Sequence, residues 1–418
     1  MELIHERAAG IDISKRDAKV AIRAPGKRKN SFVTTVTTWG ATTNAILALR
    51  EMLLDAGVTT VVMEATSDYW RPFYYLFEDA LPVMLVNAKA ARNIPGRKTD
   101  VSDSAWLAQL GAHGLLRASF VPAEPVRRLR DLTRARTIAT QDRSREGQRL
   151  EKFLESSGIK LSATVTDLMG VSARAMLEAL VHGERDPQKL ASLARGVMKK
   201  KIPELVEALT GRFEEHHAFL VRMHLDRYDS LTASIDSLTA RIEEAMLPFR
   251  TERALLETIP GVSTLVADVV IAETGADMAT FETPGRLASW AGVSPGANES
   301  AGRVKSTHTR HGDSYLKGAL GQAALNIARH PKGTYLGARY RHIAARRGRM
   351  KAIVATEHAI LAAIWQMFTN GVIYDDVGEK FFIQQNPIKA KNNAIKRLHE
   401  LGYNVTLTPT PNATDTAA

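Results

Sequence analysis

Four carboxylates are spaced so that they could gather: Asp12 in AAGIDISK, Glu64 in VVMEATSDY, and Asp100 with Asp103 in GRKTDVSDSAWL. Asp12 and Glu64 each stand in or just after an apolar run, where a charge costs free energy if buried unpaired. Asp100 and Asp103 stand three apart, a spacing that shares one face of a helix. Acids within a few Å of one another stay ionised together only around a cation. Carboxylate oxygens suit hard divalent ions. Two such ions about 3.5–4 Å apart would activate the attacking oxygen of a phosphodiester and stabilise the leaving one. Each acid also has a plainer reading. Thr99, Asp100 or Ser102 could cap a helix over about residues 104–116. Asp12 could begin a turn through Ser14, and Glu64 could pair with Lys98. Arg97 and Lys98, beside the acid pair, are placed to meet phosphate.

A second chemical candidate is Ser300 in NESAGR, a flexible loop flanked by Arg303, Lys305, His308, Arg310 and His311. A loop serine is ordinarily just solvated. Nearby cations nevertheless bind phosphate and lower the cost of a developing alkoxide. Ser294 and Ser306 are the alternatives. In LLETIPGVSTLVADVVIAETG a tight turn at Gly261 separates two helices. Its main-chain donors could grip a DNA phosphate, as in a helix-hairpin-helix; a plain αα-hairpin is the other reading. Arg346, Arg347, Arg349 and Lys351 form a basic turn, either phosphate contacts or a solvated helix end.

The elements that must position these groups follow from periodicity. Residues 7–35 read as three short strands, with the turn APGKRKN between the last two. WGATTNAILALREMLLDAG is an amphipathic helix with a glycine stop. VTTVVMEA is a fourth strand, DYWRPFYYLFEDA a short aromatic helix, LPVMLVNA a fifth strand, and a helix follows Asp103. The order β-β-β-α-β-α-β-α predicts an α/β domain with a mixed sheet and helices on its faces. With the first and fourth strands adjacent, Asp12 and Glu64 stand side by side at a sheet edge, where such folds gather ligands. Asp100 and Asp103 would close over them.

From Pro122 the strand signal ends. Residues 127–149 hold eight arginines against three acids, an excess that favours a phosphate-facing helix, with Arg127, Arg128, Arg130, Arg134 and Arg136 as its candidates. Local pairing with Asp131, Asp142 and Glu146 would instead make it a solvated face. A long helix is expected over about 203–246. In it Leu231, Ile235, Leu238, Ile242 and Ala245 form a short heptad seam, for a partner in its own domain or a dimer. Residues 251–374 are mostly helical, and the tail NVTLTPTPNATDTAA reads as disordered. The expected segments are 1–120, 121–250, 251–385 and 386–418.

The chain has 418 residues and a net charge of +11, which points to polyanion partners. It has no cysteine, which excludes disulfides, thiolate metal sites and a cysteine nucleophile. There is no secretory pattern at the N-terminus. No apolar run of about 18 residues signals a membrane helix, so no membrane partner is expected.

The acid pattern and strand order resemble an RuvC-like nuclease domain of the RNase H superfamily. GIDISK, VVMEATSDYW, NAKAARNIPGRKTDVSDSAWLAQL and TDLMGVSARAMLEAL resemble the DEDD transposases of the insertion sequence 110 family, with RLHELGYNVTLTP similar to tails of the 1111 subgroup. The resemblance runs in order over about residues 6–408. It implies an RNase H-like domain, a long-helix or coiled-coil segment and a mostly α transposase domain with a helix-hairpin-helix. It implies Mg²⁺, held as two ions by Asp12, Glu64, Asp100 and Asp103. Ser300, before Ala301-Gly302, matches the slot of the family's serine nucleophile, although the family commonly has two glycines there. The implied partners are element-end and target DNA, a bridge RNA that selects them by base pairing, and further copies of the chain as a dimer or tetramer. A cytoplasmic, nucleoid-associated bacterial setting is implied too. The rival expectations are a resolvase-like nuclease with water as nucleophile, and a non-catalytic nucleic-acid-binding scaffold.

Overall fold

Apolar alternation and one tight turn begin the N-terminal sheet. β1 (Ala8–Ile13), β2 (Asp17–Pro25) and β3 (Phe32–Gly40) pair antiparallel in succession. Ser14 organises the first turn: its hydroxyl donates to Asp17 at 2.6 Å and accepts from the Arg16 and Asp17 amides. Asp12 is therefore not needed for that turn. α1 (Thr43–Asp55), β4 (Thr60–Glu64), α2 (Trp70–Phe77), β5 (Val83–Val86) and α3 (Asp103–Ala112) follow. The strand order is β3-β2-β1-β4-β5, with β1 parallel to β4 and β4 parallel to β5. The computed structural model describes residues 3–28, 31–65, 67–88, 91, 94, 102–296, 298–306, 308–385 and 387–408.

The two faces of this sheet are covered by different helices. Ala9, Ile11, Ile13, Val61 and Met63 pack against Ile46, Leu49 and Leu53 of α1 and Phe73 and Phe77 of α2. Burying each of those aromatic rings contributes roughly 2–3 kcal/mol. Val62 and Val86 face the other way, onto Trp106, Leu107 and Leu110 of α3. Two glycines let α3 lie close. A Cβ on Gly10 of β1 would collide with the backbone of Ser104 and Ala108, and one on Gly111 of α3 would stand 2.6 Å from Val62 Cγ2. The Ala112 carbonyl accepts from the Ile4 and His5 amides, so α3 runs antiparallel to β1, its N-terminus toward the Asp12 end.

Contacts divide the chain into two compact units, Met1–Val121 and Pro122–Ala418. In the second, the arginine-rich helix Glu124–Ser156 lies antiparallel to Glu215–Ala245. His224 meets Glu146 at 2.6 Å, and farther along Arg143 reaches Tyr228 and Thr232. The heptad seam thus belongs to a helix with an intramolecular partner; Ile242 is buried and Leu231, Ile235 and Leu238 are half-buried. The single helix expected over 203–246 is broken into Ile202–Ala208 and Glu215–Ala245. The break has a tertiary cause: a Cβ on Gly211 would stand 2.8 Å from the Ser157 carbonyl, and the Arg212 amide donates to that oxygen.

The remaining helices centre on Thr264–Thr274, whose residues from Val266 to Thr274 are all buried. Arg250–Glu257, Ser314–Arg329 and the arginine-rich helix pack around it. Helix Arg349–Asn370 is long and apolar enough to cross a membrane by length and composition, which the run-length reading of the sequence did not register. Here one face of it packs against Pro284–Trp290, Ser314–Arg329 and Tyr335–Arg347.

Candidate active site

The parallel register fixes the first half of the acid site. Ile11 pairs with Met63 across β1 and β4, so the next position along brings Asp12 level with Glu64. Alternation then decides the face. Ile11, Ile13 and Met63 point to α1 and α2, so Asp12 and Glu64 point to the side that carries α3. Glu64 is buried and Asp12 half-buried. Across the β1–β2 pair, Lys19 is directly opposite Asp12 and shares its face.

α3 supplies Asp103 as its first residue, at the same end of the sheet. The cap is Ser102, whose hydroxyl accepts the Ala105 amide at 3.3 Å. Of the three capping candidates it is thus Ser102 that caps, and Asp103 sits in the first turn, where a negative charge is favoured. Asp100, Arg97 and Lys98 lie outside the described residues, and with Lys98 the alternative pairing for Glu64. Among the described residues no group of three or more His, Cys, Asp or Glu side chains is arranged to hold a metal ion. Asp12, Glu64 and Asp103 therefore do not make a closed site by themselves. Their chemistry, carboxylate oxygens only on one sheet face, fits a hard divalent cation.

Ser300 is not in an irregular loop. β6 (Asn298–Ser300) and β7 (Arg303–Ser306) form an antiparallel ribbon. Its turn is Ala301-Gly302, with φ of +51° and +73°. Positive φ at both central residues is the twist-matched hairpin geometry, and it strains the non-glycine Ala301. Ser300 is the last strand residue before the turn, in register with Arg303; its side chain lies outside the described part. Of the alternatives, Ser306 accepts the His308 amide at 3.2 Å, and Ser294 is half-buried beside the ribbon's foot. Arg303, Lys305, His308, Arg310 and His311 are all exposed.

The foot is held by backbone packing. A Cβ on Gly292 would stand 2.8 Å from the Arg310 carbonyl, and one on Gly312 2.6 Å from that of Ala291. Pro295 bridges to Thr309, and the Gly296 amide donates to His308 O at 2.9 Å. Lys317 Nζ then donates to Gly292 O at 3.2 Å and Thr309 Oγ1 at 3.1 Å. Glu357 is buried near Lys317; burial raises its carboxyl, and Lys317 pulls against that rise.

For Arg130, Arg134 and Arg136 the arginine-rich helix corrects the phosphate-facing expectation. Arg130 donates to the carbonyls of Ala272 and Glu273 at 3.0 and 2.7 Å. Arg134 grips Glu273 with both Nε and Nη2 at 2.7 Å and reaches Asp313 at 3.1 Å. Arg136 meets Asp268 Oδ2 at 2.9 Å, while Arg253 stands 2.8 Å from Oδ1 as an ion pair without hydrogen-bond alignment. Asp268 and Glu273 are fully buried. Burial pushes both carboxyls up, and the facing guanidiniums pull against it. For Arg134 burial pulls the pKa down, but Glu273 and Asp313 outweigh it and hold it above its ordinary value. Arg130, Arg134 and Arg136 are thus committed inward, because two buried carboxylates left unpaired would be strongly destabilising. Arg127 donates to Pro122 O at 2.9 Å, and Arg128 pairs with Glu124 on the surface.

Gly261 is likewise explained by packing. Its φ is +85°, and a Cβ would stand 2.7 Å from both Ala323 O and Ile327 Cγ1 of helix Ser314–Arg329. The glycine's side-chain position faces that helix, so close packing and positive φ both require glycine at this turn. Arg346, Arg347, Arg349 and Lys351 are exposed around Gly348 and make no ion pair among the described residues. Sequence reasoning missed Lys317 and Asp313. An acid before SYLKGAL was the available signal, since Asp313 caps the helix it precedes.

Two family models match the chain. A transposase model of the DEDD type named for IS110 matches residues 9–158. A model described as the transposase IS116/IS110/IS902 family matches residues 253–341. Together they span more than half of the sequence, with the acid edge in the first match and the serine ribbon in the second. No curated protein aligns with the chain at a significant level.

Proposed function

We propose, for a chain that belongs to the IS110 family of transposases, that it excises and inserts its own element through a covalent serine–DNA intermediate assisted by a divalent metal. Transposase and recombinase activity on DNA comes with the family. The finer reading is supported above all by one observation: Asp12 and Glu64 share a sheet face at neighbouring strand ends, and Asp103 opens the helix that lies over that face. That placement supports reading the edge as RNase H-like.

Asp12, Glu64, Asp100 and Asp103 would hold Mg²⁺, as two ions. When bound, Mg²⁺ supplies polarisation of the phosphate and neutralises charge that develops on its oxygens. Ser300 Oγ attacks phosphorus. The Oγ–phosphorus bond forms as a phosphorus–deoxyribose oxygen bond breaks; the serine proton passes to solvent, and the freed strand oxygen takes up a proton. Attack by a strand hydroxyl on the phosphoserine reverses this and returns Oγ to the protein. Arg303, Lys305 and Arg310 bind the phosphates that flank the scissile one, and Arg346, Arg347 and Arg349 extend the contact along the backbone. Bridge RNA selects donor and target by base pairing, which leaves backbone and shape to the protein. The protein works as a homo-oligomer on DNA.

Ser300→Ala and Asp103→Asn test the reading with element-end DNA, the RNA and Mg²⁺. Ser300→Ala should abolish a covalent protein–DNA band on a denaturing gel. Asp103→Asn should slow its appearance at least about a hundredfold, as for loss of one group that stabilises developing charge. Strand cleavage that survives Ser300→Ala would make water the nucleophile.

A further inference from the structure

A chain of charged side chains runs from the arginine-rich helix to the foot of the serine ribbon. Asp313 directly follows Gly312, one half of the backbone pinch that closes the foot. Its Oδ1 accepts the Leu316 amide at 2.8 Å and so starts helix Ser314–Arg329, while Oδ2 receives Arg134 Nη2 at 3.1 Å. Arg134 is fixed in turn by its fork on Glu273 and by the Tyr315 ring, 4.7 Å from its guanidinium carbon. One turn into the helix, Lys317 holds both sides of the foot through Gly292 O and Thr309 Oγ1. Arg134, Thr309, Asp313 and Lys317 are half-buried and Glu273 and Gly292 buried, whereas the cations toward the ribbon's tip are exposed.

Such a buried network adds little net stability over apolar packing. What it does supply is direction, because a planar guanidinium that binds two oxygens at once tolerates one orientation. Asp313 could cap its helix without any arginine. Arg134 adds a constraint on the azimuth of the segment that leads into the foot, delivered by a residue 179 positions away in sequence.

We infer that Arg134 and Asp313 are positioning residues for the serine ribbon: they set the direction in which it leaves the helical body, and with it the place of Ser300 against bound DNA. The catalytic half of this inference rests on Ser300 being the nucleophile; the anchoring half does not.

The test uses the full chain with Asp313→Asn, which keeps a good cap but loses the charge, and Arg134→Lys, which keeps the charge but loses the fork. Lys317→Met, which removes the clamp from the other side, is the second route should either variant fold poorly. Hydrogen exchange over residues 292–312 is read on the protein alone. Covalent adduct formation and DNA affinity are read with element-end DNA, the RNA and Mg²⁺. Exchange in the ribbon should rise about tenfold against the rest of the helical unit, and adduct formation should slow by about the same factor, as for a misplaced reactant. DNA affinity should stay within about twofold, since every phosphate-binding cation is retained. Unchanged exchange in all three variants overturns the anchoring. A loss of DNA affinity beyond about twofold in Arg134→Lys also overturns it, by making the Arg134 fork a phosphate contact. Raised exchange in a protein whose wild type forms no Ser300 adduct upholds the anchoring and overturns its catalytic consequence.

Discussion

Gly10→Ala is the smallest change that should separate the acids. A Cβ at Gly10 would lie within 3.0 Å of Ser104 O, Ala108 N and Leu107 Cβ, and the first two are backbone atoms of α3 that no rotamer can move aside. α3 must retreat by about 1 Å to restore ordinary contact distances. Overpacking of this kind costs about 3 kcal/mol, the upper part of the usual range, because the strain falls on backbone. That corresponds to a fall of roughly 10 °C in the melting of the N-terminal unit. The functional cost is larger than the stability cost. Asp103 moves with α3, while Asp12 and Glu64 stay with the sheet, and a misplacement of about 1 Å is worth about a hundredfold in rate. The assay is thermal melting by circular dichroism beside Mg²⁺-dependent cleavage of element-end DNA, measured well below the variant's melting point. Gly318→Ala is the control: that glycine is inside helix Ser314–Arg329, with open space where a Cβ would go, and alanine there should be neutral or stabilising by about 0.5–1 kcal/mol. If Gly10→Ala melts and cleaves like Gly318→Ala, α3 is not held on β1 as described and the acid edge loses its geometric basis.

Further outcomes follow from other parts of the structure. Ala301→Gly relieves a left-handed residue that costs about 1–2 kcal/mol while giving back about 0.5–1 kcal/mol of chain entropy; a modest stabilisation, read by urea unfolding, is expected, and a loss of stability would contradict the turn geometry. Arg136→Met leaves Asp268 with Arg253 alone and should cost about 3 kcal/mol in urea unfolding, with the salt dependence of DNA binding unchanged; an altered salt slope would mean that Arg136 faces phosphate. Replacing Arg346, Arg347 and Arg349 together by glutamine should reduce the slope of log affinity against log salt by about 0.9 for each phosphate no longer neutralised, with melting unaffected; an unchanged slope would remove this turn from the interface. For Glu146, burial raises the carboxyl, but hydrogen bonds from His224 and Arg149 outweigh it and hold it below the ordinary glutamate value. Its stabilisation is therefore present above that ordinary value and is lost as pH falls through the lower folded value, and Glu146→Gln should flatten this acid limb of a stability–pH profile. An acid limb that is identical in wild type and variant would refute the assignment.

The parts of this protein that were legible in sequence are those encoded locally. Strand alternation and the glycine stop gave the element order, and the apolar runs ending at Asp12 and Glu64 placed both acids at strand ends. Their being neighbours depends on the first strand lying beside the fourth, a condition that the sheet meets. What was not legible depends on partners distant in the chain. Counting acids near residues 127–149 could not reveal that Arg130, Arg134 and Arg136 answer Asp268 and Glu273, over a hundred residues away. The helix break before Glu215 follows from Gly211 meeting Ser157, and the close fit at Gly261 from its contact with Ala323 and Ile327. Ser300 read as a loop residue because a two-residue turn with alanine at positive φ has no common sequence signature.

The most direct measurement is peptide mapping of a covalent DNA adduct, after incubation of the full-length protein with its element ends, the flanking RNA and Mg²⁺. The account predicts an adduct on the peptide that contains Ser300, formed only with a divalent cation and lost in Asp12→Asn. An adduct on another residue, or cleavage with no adduct at all, would contradict it.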